Sequence, residues 1–365
     1  MMTPVRADKC YNERGRLTRY FGTPVSEGNP LSQMLKIAVP LAGYGSRMRP
    51  HTWSKPKPLI PLAGQTVLDH VLAQFNSLPA GQPVEYVLIV GPYQQEQVEA
   101  HMRRQHPDKT FHIVVQPQMR GQSDALWLAR EHLTGPMLMS FGDTFIETDL
   151  SRVLAEPLDG IAWVKPVPDP RPFGVAALNP QGLITRLIEK PQTLENNRVV
   201  VGFYYFRSGE KLMDVLDQQI RSGVTLKNEF FLTDALNLWI EQGARLRTET
   251  VEVWLDAGRP DALLETNRWL LDHGRGSAPA ERPGVTIISP VAIHPGAVIE
   301  GSVIGPHVSL GANCQVRGCV LRDTIVDTDT TIENLVLEGS IIGRTARVHG
   351  QPRRLNIGDN SQVDL

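Results

Sequence analysis

The sequence predicts an α/β protein in two parts, a three-layer α/β domain followed by a parallel β-helix. Three observations carry this reading. Short apolar runs alternate with amphipathic helices through most of the chain, a glycine- and cation-rich loop follows the first of those runs, and aliphatic residues recur every five or six positions near the end. Short, wholly apolar runs belong to strands buried on both faces of a parallel sheet. A short fixed period belongs to stacked coils, each too small to bury its apolar face alone.

With 365 residues the chain exceeds the usual size of one domain. Residues 1–33 are polar, basic and without apolar period, and read as a flexible N-terminal extension; a regulatory or subunit-exchanging arm is the alternative, and Met34 is a candidate native start. The α/β domain is expected over 34–271. Its strands begin at 35–41, and further runs at 86–90, 111–115 and 137–141 continue the sheet. Leu68, Val71, Leu72 and Phe75 form one helix face between them, and Ala125, Leu128, Ala129 and His132 another. Gly274, Gly276, Pro279 and Pro283 mark a linker over 272–284. In the remainder, 285–365, the repeat is set by Ile287, Ile293, Ile299, Ile304, Leu310, Val316, Leu321, Val326, Ile332, Leu337, Ile342 and Val348, enough for about four coils of three strands. The stretch 355–363 reads as one more strand or a cap.

A net charge of −2, with no basic stripe, argues against a protein that works by neutralising polynucleotide phosphates. Cys10, Cys314 and Cys319 give neither a disulfide framework nor a metal-ligand spacing, and are expected to be free thiols. No apolar run approaches the roughly 18 residues of a membrane span, and the N-terminus lacks a signal-peptide core. The expectation is a cytoplasmic protein.

The loop Val39-Pro-Leu-Ala-Gly-Tyr-Gly-Ser-Arg-Met-Arg-Pro50, with Lys55 and Lys57 close behind, is suited to a triphosphate. Gly43 and Gly45 let phosphate oxygens approach the backbone amides, and Arg47 and Lys57 bring fixed positive charge. A Walker A loop is absent, and Met48 stands where the dinucleotide fingerprint requires its third glycine.

The run Gly43-x-Gly-Ser-Arg-Met-x-Pro-x-Thr-x3-Pro-Lys-Pro-Leu59 resembles the signature of sugar-nucleotide pyrophosphorylases. Further landmarks follow in order: Gln116 with Gly121, Gly142-Asp143, Phe173-Gly174-Val175, Glu189-Lys190-Pro191, Gly202, Glu229, and Trp254-x-Asp256-x-Gly258. The closest resemblance is to glucose-1-phosphate thymidylyl- and uridylyltransferases. It implies a Rossmann-like nucleotidyltransferase domain and a left-handed β-helix like those of hexapeptide acyltransferases. It also implies an enzyme that joins a pyrimidine nucleotide from dTTP or UTP to a sugar 1-phosphate, with Mg²⁺ as cofactor.

By the same resemblance Arg47, Lys57 and Lys190 are the catalytic cations, and Asp143 and Asp256 the metal ligands. Leu41, Ala42, Gly43, Gly45, Ser46, Gln116 and Gly121 would bind the nucleotide, with Gln116 offering a donor and an acceptor to the base edge. Gly174, Glu189, Gly202 and Glu229 would bind the sugar. The stretch Gly121-Gln-Ser-Asp-Ala125 departs from the family's usual pattern after that glycine. Lys55 is expected to be solvated. Two alternatives stand beside this reading: a bifunctional enzyme that also transfers acetyl groups, for which His294, His307 and His349 are the candidate bases, and a catalytically silent sugar-nucleotide sensor. A homo-oligomer assembled partly through the β-helix is expected, with neither nucleic acid nor membrane as partner; the base, the sugar epimer and the oligomer number stay open.

Overall fold

The structure, a computed structural model, describes residues 33–225, 228–277 and 282–351. The expectations for 1–32, for linker residues 278–281, for Cys10 and for the closing strand at 355–363 lie outside the described residues.

The first domain contains strands β1 (Leu35–Pro40), β2 (Pro61–Leu62), β3 (Gln65–Thr66), β4 (Val84–Val90), β5 (Thr110–Val115), β6 (Met137–Ser140), β7 (Thr144–Ile146), β8 (Gly160–Pro166), β9 (Gly174–Leu178), β10 (Ile184–Glu189), β11 (Arg198–Phe206), β12 (Leu246–Thr250) and β13 (Trp254–Asp256). Helices α1 (Val67–Ala73), α2 (Gln95–Gln105), α3 (Gln122–Leu128), α4 (Gly209–Ser222), α5 (Leu232–Glu241) and α6 (Pro260–Leu270) flank them. The main sheet runs β10-β9-β11-β6-β1-β4-β5, with β8 against β11 and β12 against β8. The four apolar runs read from sequence are its parallel part, β1 pairing with β4 and β6, and β4 with β5. The sheet is mixed, because β11 returns antiparallel to β6, β8 and β9. Alternate residues bury on opposite faces, Ile37 and Val39 in one core and Ala38 in the other, which produces the three layers.

One local expectation is corrected. The buried face around α3 is Ala125, Leu126, Ala129 and Leu133, not Leu128 and His132. The helix tightens into a 3-10 turn at Arg130–His132, where the shorter period brings Leu133 inward and leaves His132 stacked on His112 with ring centroids 4.2 Å apart. At the start of the expected linker, Leu271 and Asp272 carry α6 on before the chain leaves helical angles at His273 and Gly274, with His273 stacked on Trp269 at 3.8 Å.

Residues 286–349 form twelve short strands in three four-stranded parallel sheets, hence four coils of a left-handed β-helix. Ile293, Ile299, Ile304, Leu310, Val316, Leu321, Val326 and Ile332 fill its core, with Ile287, Leu337 and Ile342 packed around them. Cys314 and Cys319 are buried free thiols in the same core. One outward column, Ala292, Ser309, Ile325 and Ile341, aligned by register, faces the first domain, and its apolar members join that domain's core. Asn267 is fully buried at this junction: its Oδ1 accepts from Ala63 N–H at 2.9 Å and from Ser309 Oγ at 2.7 Å, and its Nδ2 donates to His307 O.

Lys55 is corrected by the same interface. It is not solvated but pairs with Asp327 of the β-helix, the two side chains 10% and 8% exposed. Removing one member of a buried pair leaves the other charge without compensation. Lys55→Met is therefore expected to cost about 3 kcal/mol in urea unfolding, and adding Asp327→Asn should recover a substantial part of it.

Candidate active site

The carboxyl ends of β1, β4, β5 and β6 open on one crevice, the place where open α/β sheets hold their ligands. A cleft of about 340 Å³ is lined there by Leu41, Ala42, Gly43, Gly45, Lys57, Gln116, Gly121, Asp143 and Glu229, together with Phe141 and Gln122. Thus residues far apart in sequence meet at one point.

The glycine loop is held from outside. Gln94, the residue preceding α2, donates from Nε2 to Gly43 O at 2.9 Å while its Oε1 accepts from Gly91 N–H at 2.8 Å. Thr52 Oγ donates to Gly45 O at 2.8 Å. Gly45 lies at φ +60, and an added Cβ would come within 2.9 Å of Thr52; a Cβ on Gly43 would meet nothing within 4 Å. The protein therefore requires glycine at 45 for its own packing, whereas at 43 only a ligand could. Ser46 and Arg47 are exposed beside the cleft, and Arg47 has no ion-pair or hydrogen-bond partner among the described residues.

At the acidic end, β13 pairs antiparallel with β7, placing Asp256 opposite Thr144 and next to Asp143. A Cβ on Gly258 would lie 2.9 Å from Asp256 Oδ1 and 3.3 Å from Asp143 Oδ2, so the two carboxylates flank one glycine. Lys57 pairs with Asp143. Burial and the Asp143 charge push the Asp256 carboxyl above its ordinary value, against the pull of Lys57 and of the Gly258 N–H.

Gln116 is buried, and its amide donates to Gly121 O at 3.1 Å and to Asp124 Oδ2 at 2.9 Å. Both donors are taken up, so the expectation that Gln116 offers donor and acceptor is corrected: its Oε1 alone remains for a ligand. Gly121, at φ +100, packs against the Phe230 backbone, where a Cβ would stand 2.4 Å from the carbonyl oxygen.

Gly174, Glu189 and Lys190 form a separate cluster. Gly174 and Glu189 face each other across β9 and β10, a Cβ on Gly174 lying 3.1 Å from Glu189 Oε2. Burial raises the Glu189 carboxyl, with Lys190 opposing and Asp234 adding to the shift. Lys190 is exposed, its Nζ 4.0 Å from Glu189. Gly202 lies apart from that pair: its carbonyl accepts from Phe141 N–H, and a Cβ would stand 2.2 Å from the Phe141 ring, so it also shapes the cleft through Phe141. Sequence reading missed Gln94, Asp124 and Phe141. Buried Thr233 Oγ and Trp254 Nε1, which have no hydrogen-bond partner among the described residues, lie beside the Gly174 cluster.

The sequence matches the nucleotidyl transferase family over residues 38–273. The chain belongs to that family. Among its relatives, the bifunctional protein GlmU of Methanocaldococcus jannaschii is 30% identical over 231 residues, 63% of this chain and 53% of that protein. The match thus spans about half the length of that relative. Glucose-1-phosphate thymidylyltransferase of Streptomyces griseus is 26% identical over 361 residues, 91% of this chain and 99% of that protein. A Bacillus anthracis crystal structure assigned as a glucose-1-phosphate thymidylyltransferase, with bound sucrose, shares the fold at TM-score 0.56 and 21% identity, over 68% of this chain and 98% of that one.

For this nucleotidyl transferase, the crowded carboxylates fit a hard divalent cation: oxygen donors from two aspartates, in a repulsion that a cation would relieve. Without a cation that repulsion remains wherever both carboxylates are ionised. A carboxyl whose folded-state pKa is raised costs stability above that pKa, and the cost disappears as pH falls through it. Asp256→Asn keeps an acceptor for the Gly258 N–H and is expected to raise the melting midpoint, by about 2–4 °C per kcal/mol relieved. The gain should shrink toward acid pH, and melting scans across pH without divalent cation check it. Gly45→Ala should lower stability by about 1 kcal/mol or more. Gly43→Ala should stay within about 0.5 kcal/mol of the parent by the same melting measurement while losing nucleotide affinity in calorimetry.

Proposed function

We propose that the chain transfers a nucleotidyl group from a pyrimidine nucleoside triphosphate, dTTP or UTP, to a sugar 1-phosphate, with glucose 1-phosphate the first candidate, giving an NDP-sugar and pyrophosphate. The observation that carries this is the pairing of Lys57 with Asp143 in the crevice that also holds the glycine loop and Gln116, with the Asp256 carboxylate beside that of Asp143. The near-full-length likeness to a glucose-1-phosphate thymidylyltransferase supports the substrate class.

In this reading a phosphate oxygen of the sugar phosphate attacks the α-phosphorus. The bond to the bridging oxygen breaks, and its electron pair leaves with pyrophosphate. Such transfers are catalysed mainly by positioning and charge neutralisation. Amides of the Gly43 to Ser46 loop and the exposed Arg47 hold the β- and γ-phosphates. Lys57, on a short 3-10 turn, faces the α-phosphate, where it stabilises the charge that develops in the transition state. Asp143 and Asp256 would hold Mg²⁺, which when bound neutralises phosphate charge. Gln116 Oε1 accepts from a base N–H while Asp124 fixes the amide's orientation. Glu189 and the Gly174 backbone receive the sugar, and Lys190, exposed at that end, meets its phosphate.

The acetyltransferase alternative has less support. His294 Nδ1 accepts from Gly296 N–H, His307 pairs with Asp272 at 2.8 Å, and His349 lies 3.0 Å from Glu333. Each histidine is thus engaged within the fold. Self-association remains part of the proposal; the aligned column Val303, Val320 and Val336 on the β-helix exterior is a face that a second copy could cover. Among the described residues no helix is long and apolar enough to cross a membrane.

Pyrophosphate release with Mg²⁺ and glucose 1-phosphate, across dTTP, UTP, ATP, CTP and GTP, tests the reading. Turnover is expected with dTTP or UTP, and Lys57→Ala should lower kcat by about 10²–10³-fold. Preference for a purine nucleotide would overturn the base assignment; nucleotide-sugar binding without any release would favour the sensor.

A further inference from the structure

On the far side of the first domain from the nucleotide loop, Asp69, His101 and His106 bring one carboxylate oxygen and two imidazole nitrogens together, all within 4.8 Å of one another. Nε2 of His101 and Nε2 of His106 each lie 2.7 Å from the same atom, Asp69 Oδ1. The other oxygen, Oδ2, is fully occupied: it accepts from Thr66 N–H at 2.8 Å and from Thr66 Oγ at 2.7 Å in the capping box that starts α1. The carboxylate is therefore locked in orientation, with one oxygen presented to two histidines. The cluster is withdrawn from bulk water, His101 6% exposed and Asp69 11%, and it opens to solvent on the side of His106, 17% exposed. His106 reaches it because α2 ends there, its φ of −131 turning the side chain back toward α1.

We propose that Asp69, His101 and His106 form a binding site for a transition-metal ion, Zn²⁺ fitting best, with a fourth position open to water. The donor set is the mixed nitrogen and carboxylate type that suits Zn²⁺ and its neighbours and not Mg²⁺. Bond lengths near 2.0–2.2 Å place tetrahedral ligand atoms roughly 3.3 Å apart, so the observed 2.7 Å contacts need open by only about half an ångström. Neutral imidazoles accommodate the ion by moving the proton from Nε2 to Nδ1, without net proton loss. Thr66 supplies the outer hydrogen bonds that hold the ligating carboxylate, as metal sites require. The site lies apart from the acidic pair of the crevice: Gln94, at the opposite end of α2, holds the glycine loop, and the helix between is about 16 Å long. A bound ion would clamp the end of α2 to the start of α1.

This inference does not depend on the proposed transferase activity. The test uses the full chain, stripped with chelator and titrated with Co²⁺ as a spectroscopic stand-in for Zn²⁺. The expected result is the strong visible absorption of four-coordinate Co²⁺, saturating at one equivalent and bleached by Zn²⁺. It should persist in Asp143→Asn and vanish in His106→Gln and in His101→Gln. Zn²⁺ should also raise the melting midpoint of the wild type but not of His106→Gln, whose position at the helix end tolerates exchange. Absence of the absorption up to millimolar Co²⁺, or its survival in His106→Gln, would overturn the proposal.

Discussion

Lys57, Asp143 and Asp256 share one small space at the carboxyl edge of the sheet, and the surrounding architecture serves to keep them there. Two carboxylates beside one glycine repel, and one lysine cannot neutralise both. The pair persists because each aspartate is fixed by backbone pairing rather than by its own preference: Asp256 ends β13, which is tied to β7, and Ala257 N–H donates to Asp143 O. Thr266 Oγ on α6 donates to Asp256 O and holds the strand end from the other side. Strain stored in this way is common where charge is to be received, because a ligand that relieves it binds more tightly.

The β-helix belongs to the same arrangement. Between Arg47 and Lys57 the chain runs through residues 51–55, a stretch without strand or helix, and the β-helix grips it at two points. Asp327 pairs with Lys55, and Arg344 donates to Ser54 O at 2.5 Å. Asn267 and the Ala292 to Ile341 column complete the contact on α6 and on the β2–β3 hairpin. A repeat domain that packs a dry column against the first domain and pairs charges across the rim thus fixes the segment carrying the central lysine. Loss of these contacts reaches the crevice through the chain itself, without any ligand between.

Much of this was legible in the sequence, and for definite reasons. The parallel strands announced themselves because strands buried on both faces are apolar throughout, and the coils because each must place an aliphatic residue inward at a fixed interval. The glycine loop was legible because few structures need glycine at both 43 and 45. What sequence hid is three-dimensional pairing. Lys55 looked like a surface lysine, since its partner lies 272 residues away. Gln116 looked like a two-handed base reader, because nothing in the sequence shows that Asp124 and Gly121 O take its donors. Nothing in the sequence shows that Gly202 packs on the Phe141 ring, which by itself requires glycine there. The Asp69, His101 and His106 cluster was invisible for the same reason, its residues carrying no spacing that any helix period would join.

The most direct test of the account is isotope exchange between labelled pyrophosphate and the nucleoside triphosphate. If the crevice catalyses one in-line displacement by placing Lys57 and the two aspartates around the α-phosphate, label should enter triphosphate only when the sugar partner is present, as sugar 1-phosphate or as nucleotide sugar. Exchange at a comparable rate with nucleotide and pyrophosphate alone would require a nucleotidyl group held on the protein, and would contradict a site that acts by positioning and charge.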